Sequence, residues 1–226
     1  MTALRRAQLA VRMAGKVTDP RLINIRVGHW GVQPSARRLF PDEAPPGFHY
    51  RENFITASEE ASLVDAIRHV EFATFEMHGV IARRRVAFFG ASYERGPDSV
   101  RPLPEFLIAL RETVAAWAAV EPTAFAMALI NEYRPGAPIG WHRDAPQYEL
   151  VAGVSLLSAC RMRFRPYVRP DTPRSTVGER RLATHAVILA PRSAYLMTGE
   201  SRHAYEHQIP AGPALRYSIT FRTMRP

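Results

Sequence analysis

Two spacings of apolar residues divide this chain. Leu63, Val64, Ile67 and Val70 recur at the intervals of one helical face. Ahead of them, Thr56-Ala57-Ser58-Glu59 has the form of a capping box, in which hydroxyl and carboxylate each accept from the other's backbone N–H. The spacing therefore predicts a helix from this box through Val70. Phe106, Leu107, Leu110, Val114 and Trp117 form a second stripe, and Pro104 suits an opening turn, so a second helix is predicted from Pro104 to Val120. From Phe125 onward the period shortens to two. Short strands are predicted at about 125–133, 139–144, 151–157, 160–165, 179–182, 186–190, 193–198, 203–208 and 215–223, with an earlier one over Phe48 to Ile55. Two helices ahead of many short strands suit an α+β, mainly β, chain: a jelly roll with both helices buttressing one sheet.

Residues 1–46 are rich in Arg and Pro, lack sustained periodicity and read as an N-terminal extension; residues 47–226 read as one domain. With 226 residues and 46% apolar content, the chain can bury one sizeable core. Cys160 is its only cysteine, so an intramolecular disulfide is excluded and a reducing compartment is indicated. No apolar stretch approaches the ~20 residues that span a bilayer, and no secretory signal opens the chain. A cytoplasmic protein with no membrane contact and no obligate protein partner is expected. Charge adds a direction: the formal net charge is +9, and 29 of the 30 basic residues are Arg. They cluster at Arg83-Arg84-Arg85, at Arg161, Arg163, Arg165, Arg169 and Arg174, and at Arg180-Arg181, which suits a polyanionic partner.

The candidate chemistry lies among the strands. In extended backbone, residues i and i+2 share a face, so His142 and Asp144 converge while Arg143 points away. A later strand carrying His203 or His207 could add a second imidazole. Two imidazoles and one carboxylate make an open-faced non-haem Fe(II) site, with coordination positions left for a co-substrate and dioxygen. Asn131 and Tyr133 project from one face of the strand before the Pro135-Gly136 turn. Arg216, Ser218, Thr220 and Arg222 share a face of the last strand, and such a polar face beside iron suits a dicarboxylic acid, which guanidinium binds bidentately.

From about Phe125 to Arg222 the chain resembles the AlkB-type Fe(II)/2-oxoglutarate-dependent dioxygenases. The motifs are Asn131-x-Tyr133-x-Pro135-Gly136, His142-x-Asp144, Gly199-Glu200-Ser201-Arg202, His207 and Arg216-x5-Arg222, in the family's order. The resemblance implies a double-stranded β-helix (jelly roll). It also implies iron ligation by His142, Asp144 and His207, the family's spacing after Arg202 favouring His207 over His203. Arg216 would take the distal carboxylate of 2-oxoglutarate, with Asn131, Tyr133 and Arg222 completing that pocket. Residues 78–100 resemble the family's substrate-covering segment, so Arg85, Phe89 and Tyr93, with Trp141 and Arg202, are candidate substrate contacts.

The expected function is oxidative demethylation of N-methylated bases in DNA or RNA, single-stranded or with the target base flipped. Fe(II), 2-oxoglutarate and dioxygen would be consumed or used, and succinate, carbon dioxide and formaldehyde released. Several nucleic-acid demethylases carry an acidic residue two positions after the metal-binding Asp, where this chain has Pro146. An oxygenase acting on a protein or small molecule is therefore the alternative, followed by a non-catalytic jelly-roll binding module.

Overall fold

Strand parity decides which residues of this fold meet. The computed structural model describes residues 44–77, 80–90, 101–169 and 184–225. Among them, one antiparallel sheet holds β1 (Phe48–Arg51), β2 (Ala73–Met77), β3 (Val80–Gly90), β4 (Phe125–Tyr133), β6 (Tyr148–Leu156), β9 (Ala194–Met197) and β11 (Arg216–Met224), in the order β1-β9-β6-β11-β4-β3-β2. A second sheet holds β5 (Ile139–His142), β7 (Cys160–Pro166), β8 (His185–Leu189) and β10 (Tyr205–Ile209), in the order β5-β10-β7-β8. Distant segments thus become neighbours, as a jelly roll requires.

Helix α1 (Ala57–Arg68) starts at the capping box: Thr56 Oγ1 accepts from the Glu59 N–H at 3.1 Å, and the Glu59 carboxylate accepts from the Thr56 N–H at 2.7 Å. Helix α2 (Ile108–Ala118) is shorter than its apolar stripe. A 3-10 turn, Glu105–Leu107, precedes it, and Ala119 ends it in the left-handed region at φ 54°. Leu63, Val64, Ile67, Leu110 and Val114 from these helices are buried with Ile130, Val154, Ile219 and Phe221 of the seven-stranded sheet. The two helices thus buttress one sheet, as the pattern predicts.

The other parity of the same strands faces the four-stranded sheet. There Tyr133, Val151, Tyr195 and Met197 meet Met162, Phe164, Leu189 and Ile209 in a second buried cluster. Cys160 packs at its edge as a free thiol, its pKa raised by burial. Among the described residues, no helix is long and apolar enough to cross a membrane.

Three expectations change. The strand expected over 139–144 stops at His142, leaving Asp144 in the following loop. Gly199–His203 forms a short helix, α3, so the strand expected from residue 203 begins at Tyr205. Within the segment read as a lid, Val80–Gly90 is an ordinary sheet strand, hydrogen-bonded to β4 and β2. It ends at Gly90, where φ is +78° and an added Cβ would lie 2.2 Å from the Ala126 carbonyl oxygen. Residues 78–79 and 91–100 with Tyr93, the strand expected at 179–182, and 1–43 of the N-terminal extension lie outside the described residues.

Candidate active site

Between the two sheets, β10 lies beside β5 with His207 directly opposite His142, and an irregularity in the pairing follows between His207 and Ile209. The imidazole centroids are 4.3 Å apart. His142 Nδ1 lies 2.9 Å from the Gly140 carbonyl oxygen. A carbonyl can only accept, so Nδ1 carries the hydrogen and Nε2 keeps its lone pair free. His207 Nε2 faces Asp144 Oδ2 at 3.6 Å. His203 points elsewhere: its Nε2 is 3.1 Å from the Glu149 carboxylate.

Burial and neighbouring charge fix the protonation states. Burial, reinforced by His142, lowers the His207 imidazole to about 3, so it is neutral at ordinary pH. Burial also lowers His142, with Asp144 opposing. Burial alone would raise the Asp144 carboxyl, but the Arg222 guanidinium and the two imidazoles overcome it and hold the group far below the usual carboxylate range. Neutral imidazoles and an ionised carboxylate are the forms that bind a divalent metal. Among the described residues no three such side chains stand as a ready-made chelating cluster. The donors meet pairwise, because Asp144 Oδ1 is drawn to Arg222, accepting from Nη2 at 2.8 Å and from Nε at 3.0 Å. The donor set nevertheless fits an open Fe(II) face: two imidazoles, one carboxylate and no thiolate.

Arg216 is 3% exposed. Its Nε donates to Ser155 Oγ at 3.0 Å, while Nη1 and Nη2 are buried without a hydrogen-bond partner. The Tyr133 ring stands 5.1 Å from its Cζ. A buried guanidinium with two idle nitrogens is costly unless something anionic completes it. A carboxylate of 2-oxoglutarate fits that need. Arg222, expected in the same pocket, is instead engaged with Asp144 and with Thr220 Oγ1 at 3.0 Å. Asn131 accepts from Arg84 Nε at 3.3 Å.

The structure does not bring every expected substrate residue to the site. Arg85 and Phe89 have the wrong parity. Arg85 pairs with Glu132 and lies over Phe72, and Phe89 is buried in the helix-side core. Arg84 and Phe88, their neighbours, belong to the site-facing parity of β3. Trp141 projects from β5 beneath Arg163 and Arg165 of β7, whose strand neighbours Met162 and Phe164 point inward. Arg202 is buried, and its Nη2 donates to the Ala145 and Tyr148 carbonyls, which fixes the loop after Asp144. Tyr195, absent from the sequence reading, is buried with its phenol raised by burial and by the nearby Asp144 charge. Gly153 makes room for it, since an added Cβ would lie 2.3 Å from Tyr195 Cζ.

Such a site between two jelly-roll sheets is that of a non-haem iron dioxygenase. The profile of the 2OG-Fe(II) oxygenase superfamily matches residues 47–222, and the chain belongs to that superfamily, whose cofactors are Fe(II), 2-oxoglutarate and dioxygen. Its relatives are AlkB-type. It is 27% identical over 183 residues to the Alkylated DNA repair protein ALKBH8 homolog of Arabidopsis thaliana, covering 73% of this chain and 51% of that protein. The chain therefore spans about half the length of that relative. It is 25% identical over 171 residues to the Probable RNA/DNA demethylase ALKBH6 of Danio rerio, covering 74% of this chain and 70% of that protein. Among solved structures, OsALKBH1 superposes with a TM-score of 0.57 at 13% identity, covering 79% of this chain and 98% of that one. A prolyl-4-hydroxylase from Pseudomonas putida gives 0.52 at 15% identity, covering 82% and 96%. Both share the fold.

Proposed function

We propose that this protein is an Fe(II)/2-oxoglutarate-dependent oxidative demethylase of alkylated nucleic acid. Its substrates would be N-methylated bases in DNA or RNA, presented single-stranded or flipped from a duplex. The idle, buried Arg216 guanidinium, on the same face of β11 as the Arg222 that grips Asp144, carries the oxygenase part of this reading together with the grouping of His142, His207 and Asp144. The demethylase names of the relatives and the +9 charge support the nucleic-acid part. The reading includes a cytoplasmic location.

His142, Asp144 and His207 would hold the iron. When bound, iron and 2-oxoglutarate supply the oxidising power: dioxygen is reduced, 2-oxoglutarate becomes succinate and carbon dioxide, and the N-methyl group becomes hydroxymethyl, which leaves as formaldehyde. The chain supplies position. Arg216, held by Ser155 and Tyr133, orients the distal carboxylate of the co-substrate. Arg222 fixes the Asp144 carboxylate and is itself fixed by Thr220. Arg202 holds the 145–148 loop at the rim, and the apolar cluster around Phe164 and Tyr195 excludes water.

A second reading, an oxygenase for a protein or small molecule, draws on one feature. A cavity of about 260 Å³ is lined by Arg143, Asp144, Pro146, Arg202, His203 and Arg225; with Asp144 engaged by Arg222, its other polar lining is basic and offers donors where an exocyclic base amine needs an acceptor. One assay decides between them: formaldehyde release across methylated oligonucleotides and methylated peptides, with iron, ascorbate and 2-oxoglutarate present. Release from oligonucleotides alone is the expected result. Release from peptides alone contradicts the proposal.

A further inference from the structure

Trp141 of β5 and the basic strand β7, one strand away across β10, have no part in the chemistry above. On β7, Met162 and Phe164 are fully buried in the core between the sheets, so Arg161, Arg163 and Arg165 project from the opposite, outer face of the four-stranded sheet. Their spacing of two residues sets them about 6.8 Å apart along the strand, on the scale of successive phosphates in an extended strand. The Trp141 ring lies at the same face, 4.4 Å from the Arg165 guanidinium carbon and 5.7 Å from that of Arg163. Glu206, opposite Arg165 on β10, neutralises that one arginine with a 2.6 Å ion pair. Among the described residues neither Arg161 nor Arg163 has an acidic partner. Arg161 is exposed and stands opposite Ile188, itself 52% exposed.

We propose that this outer face is a binding track for single-stranded nucleic acid, with Arg161 and Arg163 on phosphates and Trp141 as a stacking platform. The inference rests on the proposed nucleic-acid substrate and adds a contact surface separate from the iron pocket. Three observations carry it. The surplus charge is positive and unpaired on one strand. An aromatic ring lies within the charge, the combination by which proteins hold single strands without reading sequence. The face also adjoins the site through the edge strand β5, where Trp141 turns outward and the next residue, His142, turns inward to His207. A strand held outside can therefore offer a nucleotide around that edge. A duplex fits less well, because an aromatic ring at the edge of a basic sheet face offers stacking that paired bases cannot use.

The test uses the full chain, a fluorescein-labelled oligothymidylate and anisotropy measured across a salt series. Arg161→Ser/Arg163→Ser should make the log Kd against log salt slope shallower by about 1.4, two single-strand contacts at about 0.7 each. Trp141→Ala should weaken binding about tenfold at fixed salt. The control Arg51→Ser/Arg68→Ser removes the same charge from exposed positions elsewhere and should leave the slope unchanged. If the wild type binds but neither variant alters slope or affinity, the track is wrong and the demethylase reading stands. If the control shifts the slope as much as Arg161→Ser/Arg163→Ser, the effect is net charge and the track is overturned. If the wild type does not bind at any salt, both fall.

Discussion

The two faces of the seven-stranded sheet use the same strands for opposite purposes. On β4 and β11, Ile130, Ile219 and Phe221 face the helices and are almost fully buried in an apolar core. The alternate residues Asn131, Arg216, Ser218, Thr220 and Arg222 are nearly as inaccessible, yet all are polar. The first face gains free energy by leaving water; the second spends some of it, because burying charge is costly unless paired. Stability and chemistry are thus separated by a single step of register, and a one-residue slip would exchange them.

Substitutions on either side should sharpen that contrast. Phe221→Ala removes a fully buried ring and should cost about 3–5 kcal/mol of unfolding free energy, read by denaturant titration, while the folded protein keeps its affinity for 2-oxoglutarate. Arg216→Met should do the reverse. Loss of the desolvated charge partner raises the KM for 2-oxoglutarate at least about thirtyfold. Relief of two unpartnered buried nitrogens leaves the ligand-free protein as stable as the wild type, or more so by about 1–3 kcal/mol. Equal losses of stability in both variants would erase the distinction.

A smaller effect belongs to Arg85, on the helix-side parity of β3. Arg85→Ala leaves the Glu132 carboxylate, 7% exposed, with Arg134 alone and should cost about 1–3 kcal/mol at neutral pH. The hydrogen bond from Arg85 holds the Glu132 pKa below its ordinary value. The contribution is therefore complete above the unfolded carboxyl value of about 4.3 and is lost as pH falls through the lower folded one. The gap between variant and wild type should narrow on acidification below that range. A gap independent of pH would mean the pair contributes through packing. Thr56→Ala, at the α1 cap, should cost only about 1 kcal/mol, seen as a small fall in Tm with unchanged turnover.

Much of this was legible in sequence because period and parity are local. The strand expected at about 125–133 is present as Phe125–Tyr133, the α1 capping box is present, and Arg216, Ser218, Thr220 and Arg222 share the face turned away from the helix-side core. What escaped depends on partners distant in the chain. Nothing in Arg83-Arg84-Arg85 says which arginine faces inward; the pairing of Arg85 with Glu132 on β4 decides it. Trp141 is expected at the site only through the resemblance of the covering segment; alternation from His142 already turns it to the opposite face, where it lies under Arg163 and Arg165. Tyr195 sits in an unremarkable apolar run and gains meaning only from Gly153 across β6 and from the charges its hydroxyl approaches.

In the proposed site, His142 and His207 of the four-stranded sheet and Asp144 of the loop after β5 would share one ferrous ion, with Arg216 of the facing sheet holding the co-substrate. This arrangement is tested most directly by anaerobic titration of the full chain with Fe(II) and 2-oxoglutarate, following the visible charge-transfer absorption of the ternary complex. Saturation at one iron per chain is expected, with loss of the band in His142→Ala and His207→Ala, and a band in Arg216→Met that needs far more 2-oxoglutarate. A His142→Ala/His207→Ala chain that still develops the band with wild-type affinity would contradict it.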